Sequence, residues 1–156
     1  MNTTNQVKLL SNLGLIPFLF LSFGAWFLPY NVPYETLCLS FFFYALMINS
    51  FLSGNLWGYS LEKKINPFIP IIFFFLPILF FLVVILLTYQ AFQLEASLGL
   101  SASLSFMLSF SGIYLYEKRI IKHEDYYSLL RLRLSTIVII CHLSWVIFFA
   151  NILRLT

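Results

Sequence analysis

The sequence predicts an all-α fold: a polytopic membrane helix bundle of five transmembrane helices, with the N-terminus in the cytoplasm and the C-terminus outside. Three observations lead there. Apolar residues make up 61% of the 156 and charged residues 10%, whereas soluble domains carry about a quarter charged residues. A soluble core of this length has no room for so much apolar surface. The apolar residues also gather into five stretches near the roughly 20 residues a spanning helix needs: Leu9 to Pro29, Thr36 to Leu61, Pro67 to Thr88, Leu94 to Tyr116 and Leu132 to Leu153. Finally, the charges lie between the stretches in an order that repeats with every second crossing. The chain, 1–156, therefore reads as a single transmembrane domain.

The first stretch follows Lys8 and has the look of a secretory signal. It has one upstream charge, however, and no Ala-x-Ala after Phe23-Gly24-Ala25-Trp26, so it is expected to remain as the first helix. Pro17 predicts a kink in it, and Pro29 its end. Asn31 and Pro33 open the second stretch. Asn66-Pro67 opens the third as a cap followed by proline. The third is almost wholly Phe, Ile, Leu and Val apart from Pro70 and Pro77, which predicts lipid over much of its surface and a kink at Pro77. The fifth helix is expected to start at a cap, Asp125 or Glu124, and to run through Tyr126–Arg131 into the membrane.

Alternating crossings put Lys8, Lys63, Lys64, Lys118, Arg119, Lys122, Arg131 and Arg133 on one side and Glu35 and Glu95 on the other, with Arg154 alone at the far terminus. The positive-inside rule makes the basic side cytoplasmic, and four or six crossings would scatter these charges. The expected location is a bacterial inner (cytoplasmic) membrane, or the mitochondrial inner membrane in a eukaryote. The net charge of +3 forms no continuous stripe, which argues against nucleic acid. The expected partners are the lipid bilayer and, at the basic side, an anionic lipid or a membrane protein. The odd number of spans and the lack of an internal repeat speak against paired inverted halves. Cys38 and Cys141 fall at different depths and are expected as free thiols.

Two ridges of small residues, Ser50, Gly54, Gly58 and Ser97, Ser101, Ser105, Ser109, repeat every fourth residue and predict close helix packing; a water-lined serine track is the alternative. Arg131, Ser135, Val138, His142 and Trp145 share one face of the fifth helix, which should turn into the bundle, whereas Arg133 can snorkel to headgroups. Asn55 and Trp57 lie at the depth of Arg131, with Glu117, Tyr126 and Tyr127 nearby. Asn55, Trp57, Tyr127 and Arg131 are thus candidates for a shallow binding pocket at the headgroup boundary, where a guanidinium suits a phosphate, carboxylate or carbonyl. The competing reading is a set of ordinary interfacial anchors. Asn49 and His142 fall near mid-membrane, where each needs a polar partner, and are expected to pair, as interhelical glue or as a proton site.

Enzyme signatures are missing. A single intramembrane histidine does not make an axial haem pair, no His/Cys/Asp/Glu cluster has ligand spacing, and no Ser/His/Asp set falls at one depth. No cofactor and no catalytic residue are predicted.

The runs Gly14-Leu15-Ile16-Pro17-Phe18, Ser50-Phe51-Leu52-Ser53-Gly54-Asn55-Leu56-Trp57-Gly58 and Tyr126-Tyr127-Ser128-Leu129-Leu130-Arg131 resemble the transmembrane protein 69 family. The resemblance implies a small inner-membrane protein, bacterial or mitochondrial, built on a domain of unknown function. It also draws attention to Gly54, Trp57, Gly58 and Arg131. Ser53 stands where the family has a second glycine, Leu56 where histidine or arginine often occurs, and Ser135 where it has threonine. Chemistry that relied on a basic side chain at 56 is therefore excluded here. The leading functional expectation is a nonenzymatic accessory or assembly factor that binds a lipid, cofactor or partner protein at its cytoplasmic face. The alternatives are a small transporter or channel using Asn49 and His142, and an enzyme acting on a lipid or isoprenoid, with Arg131 binding an anionic group and Tyr127 or Glu117 moving a proton.

Overall fold

The computed structural model describes residues 3–27, 34–88, 94–121 and 125–155. Pro29, Asn31 and Pro33, expected as punctuation, and Lys122, His123 and Glu124 of the basic loop lie outside the described residues, as do the side chains of Glu95 and Arg154. The described residues form five helices: α1 (Thr3–Phe27), α2 (Tyr34–Glu62), α3 (Phe68–Thr88), α4 (Leu94–Ile120) and α5 (Asp125–Leu155). α1, α2, α4 and α5 are long and apolar enough to cross a membrane. α3 has 21 residues. α1 begins before its apolar stretch, α4 continues past Tyr116 and α5 starts seven residues ahead of Leu132. Hydropathy marks the part of a helix that suits hydrocarbon, whereas the backbone ladder runs on into polar surroundings.

Local chemistry sets the ends. Asn66 Oδ1 accepts the Phe68 N–H at 3.0 Å, so α3 starts from the asparagine cap that the sequence announces. α2 ends in a Schellman turn: Ile65 N–H reaches the Ser60 carbonyl at 2.9 Å and Lys64 N–H the Leu61 carbonyl at 3.2 Å. Lys64 takes the left-handed conformation there, with φ 55°. α5 opens on Asp125, whose carboxylate suits a helix N-terminus.

The helices form a closed ring in chain order, α1 against α2, α2 against α3, α3 against α4, α4 against α5, and α5 back against α1, with α2 also meeting α4 across the centre. Every helix is apolar nearly all round, so hydrophobicity does not choose the buried side; small and polar residues do. In α2 the buried stripe is Leu37, Phe41, Ala45, Asn49, Ser53, Leu56 and Ser60. In α4 it includes Ser101, Ser105 and Ser109, and in α5 Ser135, Val138, His142, Trp145 and Phe149. α4 comes closest to its neighbours through two glycines. A Cβ at Gly99 would overlap the Phe149 ring of α5, and one at Gly112 the Phe73 ring of α3. α1 is held by Tyr44 Oη donating to the Gly14 carbonyl at 2.8 Å, in the turn before Pro17, and by Trp26 Nε1 donating to Ser144 Oγ at 2.8 Å.

The polar centre of the bundle answers a problem created by Pro77. Proline lacks an N–H, so the carbonyl four residues earlier, Phe73, has no partner in its own helix, and lipid offers none. Asn49 Nδ2 of α2 donates to that carbonyl at 3.2 Å and Ser109 Oγ of α4 lies 2.6 Å from it. Ser109 Oγ is also 2.7 Å from Asn49 Oδ1. Three helices are thereby joined at one backbone oxygen, and Asn49 and Ser109 are fully buried. Replacing Ser109 by Ala, or Asn49 by Leu, should lower stability by roughly 0.6 to 2 kcal/mol, the range of hydrogen bonds between membrane helices. Adding Pro77→Ala returns an N–H to the Phe73 carbonyl and should recover most of that loss. A double-mutant cycle followed by thermal unfolding in mild detergent checks this, and strictly additive losses would contradict the assignment.

Candidate functional site

Among the described residues the basic side chains collect at one end of the bundle. Lys8 Nζ of α1 lies 5.8 Å from the Tyr126 ring centroid of α5, Tyr59 Oη of α2 donates to the Ile120 carbonyl of α4 at 3.5 Å, and Tyr116 Oη donates to the Asn66 carbonyl at 3.2 Å. These contacts bring the start of α1, the α2–α3 turn, the end of α4 and the start of α5 to one level. Lys8, Lys63, Lys64, Lys118, Arg119 and Arg133 are exposed there.

Arg131 behaves differently. Its Nε donates to Glu117 Oε2 at 2.6 Å, and the two side chains are only 13% and 8% exposed. The short link between α4 and α5 makes them antiparallel neighbours, so the last turns of one helix and the second turn of the other meet at the same depth. Removing two charges from water costs several kcal/mol each, and the pair recovers that only while both members are present. Tyr127, one turn before Arg131, is half-buried.

This geometry corrects the expected pocket. Asn55 is exposed and Trp57 is 44% exposed, because at this level α2 turns Ser53, Leu56 and Ser60 inward. Arg131 and Tyr127 belong to the interior layer, and Asn55 and Trp57 to the outer surface. The sequence reading mistook the face of α2.

The same face error explains the first ridge. Ser50 is half-buried and its Oγ lies 2.7 Å from the Leu46 carbonyl of its own helix. Gly54 and Gly58 are exposed, and a Cβ at either would meet nothing within 4 Å. The expected seam thus runs along the outside of α2, and the close approaches occur at Gly99 and Gly112, which sequence reasoning passed over. The signal for them was available, since both glycines lie on the serine-rich helix. Along α4, Ser101, Ser105 and Ser109 are buried and Ser97 is half-buried. Ser101 and Ser105 hydroxyls return to the Leu98 and Ala102 carbonyls, each at 2.8 Å, and Ser103, also buried, to Gly99 at 2.9 Å. Bonds of this kind let neighbouring backbones approach while leaving no hydroxyl unsatisfied.

Asn49 and His142 do not pair, contrary to expectation. Asn49 is committed to Ser109 and the Phe73 carbonyl, while His142 is fully buried in a box of phenylalanines. Its ring centroid lies 4.7 Å from that of Phe41, 5.4 Å from Phe106, 5.6 Å from Phe110, 6.1 Å from Phe18 and 6.4 Å from Phe42. Neither ring nitrogen has a hydrogen-bond partner, nor does the buried Trp145 Nε1 three residues on. Each such group is kept at a cost of about 1 to 3 kcal/mol. Cys38 and Cys141 are free thiols, half-buried and buried respectively. Among the described residues no group of three or more His, Cys, Asp or Glu is placed to hold a metal ion.

Residues 3–147 match the family described as Protein of unknown function (DUF3429), a span that covers α1 to α4 and most of α5. The chain belongs to the DUF3429 family. Comparison with curated proteins and with solved structures gives no match. The stretch matched to the DUF3429 family includes the Arg131–Glu117 pair, the clamp on the Phe73 carbonyl and His142.

The ion pair yields a prediction that separates it from a surface anchor. Glu117→Ala should cost about 3 kcal/mol, because it leaves a guanidinium buried without its carboxylate. The double replacement Glu117→Leu with Arg131→Leu should cost markedly less than the single one. Denaturation in mixed micelles measures both, and a double variant at least as unstable as the single would rule out a desolvated pair.

Proposed function

We propose that this DUF3429 protein is a five-span protein of a bacterial cytoplasmic membrane, or of the mitochondrial inner membrane in a eukaryote, with its N-terminus and basic end inside. In this reading it serves as a nonenzymatic accessory or assembly factor that holds anionic lipid headgroups at that end. The observation that carries the reading is the division of labour among its cations. Arg131 is occupied by Glu117 inside the bundle, whereas Lys8, Lys63, Lys64, Lys118, Arg119 and Arg133 are exposed around it. The buried pair fixes α4 to α5 and the exposed rim offers charge to the membrane surface.

The enzymatic alternative would draw on Arg131 and Glu117, which are engaged with each other. The transporter alternative would need a polar path through Asn49 and His142, and these have separate surroundings: a carbonyl clamp for one, phenylalanine rings for the other.

Each basic residue near an anionic surface contributes about 1 kcal/mol, so Lys118→Glu with Arg119→Glu should reduce retention of anionic lipid at least tenfold. Native mass spectrometry from discs of mixed anionic and zwitterionic lipid measures this. Equal retention by wild type and variant would remove the support for a headgroup-binding rim. Recovery of a protein partner whose release depends on the same two residues would redirect the reading from lipid to protein.

A further inference from the structure

The half of the bundle away from the basic end holds a cavity of about 550 Å³ between α2, α3 and α4. Phe42 and Leu46 of α2, Pro77 of α3, and Ala102 and Phe106 of α4 form its inner wall, and Glu35 stands at its rim. Its outer lip on α2 is Leu39 and Phe43, both well exposed, so the cavity opens sideways onto lipid. We infer that it binds a flat, uncharged ring that bears carbonyl oxygens and trails an apolar tail, the chemistry of a prenylated quinone, with Phe42 as the gate to His142 and Trp145. The inference is independent of the headgroup rim at the other end.

Four features select this class of ligand. The volume lies within the range of small-molecule sites, about 300 to 1,000 Å³. The lining away from the rim is apolar, which favours an uncharged head with a hydrocarbon tail running out past Leu39 and Phe43 into the bilayer. Phe42 and Phe106 stand nearly parallel, at 14° with ring centroids 6.0 Å apart, and offer their faces to a flat conjugated ring. Behind them lie the buried nitrogens that the fold leaves unpartnered. His142 stacks on Phe106 at 5.4 Å and on Phe42 at 6.4 Å, and the Trp145 ring is also 6.4 Å from Phe42.

The donor chemistry of that pair narrows the choice further. An indole N–H only donates, and a neutral imidazole donates through one nitrogen and accepts through the other. Two donors one turn apart on α5 call for acceptor oxygens, which a plain hydrocarbon chain lacks. Phe42 touches both residues and also lines the cavity, so rotation of its ring opens the way from one to the other. In that position a carbonyl oxygen accepts from His142, with Trp145 one turn away, while the ring of the ligand stacks on Phe106.

The test uses full-length protein in mild detergent and two probes that share a ten-carbon tail: decyl-benzoquinone and decylbenzene. Equilibrium binding should be saturable for the quinone and about tenfold weaker for decylbenzene, the change expected when one neutral hydrogen bond in a dry site is lost. His142→Leu, an apolar replacement in an apolar box, should weaken quinone binding by a similar factor and leave decylbenzene unchanged. Ala102→Trp should abolish both by filling the cavity. Equal affinity for the two probes, or quinone binding unaltered in His142→Leu, would overturn the assignment. Should Ala102→Trp fail to fold, the comparison of probes on the wild-type protein decides alone.

Discussion

A backbone carbonyl deprived of its helical partner inside an apolar bundle must be satisfied from elsewhere, and much of this structure is arranged around one such oxygen. Pro77 frees the Phe73 carbonyl of α3, and Asn49 of α2 and Ser109 of α4 converge on it. Because the hydrophobic effect does not drive helices together in lipid, specificity has to come from close packing and polar contacts. The clamp fixes the rotation of α2 and α4. With that rotation set, Ser53, Leu56 and Ser60 face inward, Gly54 and Gly58 face outward, and Gly99 and Gly112 meet the rings of Phe149 and Phe73.

From this rotation follows a separation of polar groups by depth. At the basic end, Arg131 and Glu117 neutralise each other inside the bundle while Lys8, Lys63, Lys64, Lys118, Arg119 and Arg133 stay at the surface. At the centre, Asn49 and Ser109 meet each other and the Phe73 carbonyl. Toward the other end the interior is aromatic, and there His142 and Trp145 keep nitrogens without partners behind Phe42, which lines a cavity open at the side of the bundle. The α4 serines Ser101, Ser103 and Ser105 return their hydroxyls to their own helix, whereas Ser53 and Ser60 of α2 are buried without a partner. What sets His142 and Trp145 apart from those serines is their place behind Phe42, which lines the cavity.

The helices were legible in the sequence because long apolar runs have few other solutions, and the Asn66 cap because its chemistry is local. The inward stripe from Arg131 to Trp145 was legible too, since it is the polar face of an otherwise apolar helix. Which face of α2 turns inward was not. Ser50, Gly54 and Gly58 form the cleaner small-residue pattern, yet Asn49, one position away, is captured by a carbonyl whose need arises on another helix. Pro77 predicts a kink, but the partners its missing N–H requires depend on tertiary neighbours that no local pattern specifies. The pairing of Arg131 with Glu117 was likewise within reach in depth but not in partner, and the expected pairing of His142 with Asn49 failed because the Phe73 carbonyl took the amide.

The account depends most on the state of the Phe73 carbonyl, which vibrational spectroscopy reports directly. With a single ¹³C=¹⁸O label at Phe73, the isolated amide stretch should lie at the low frequency of a strongly hydrogen-bonded carbonyl. It should shift upward when Asn49→Leu and Ser109→Ala are combined. A label whose frequency is already that of an unbonded carbonyl in the wild-type protein, or that does not move on losing both partners, would contradict it.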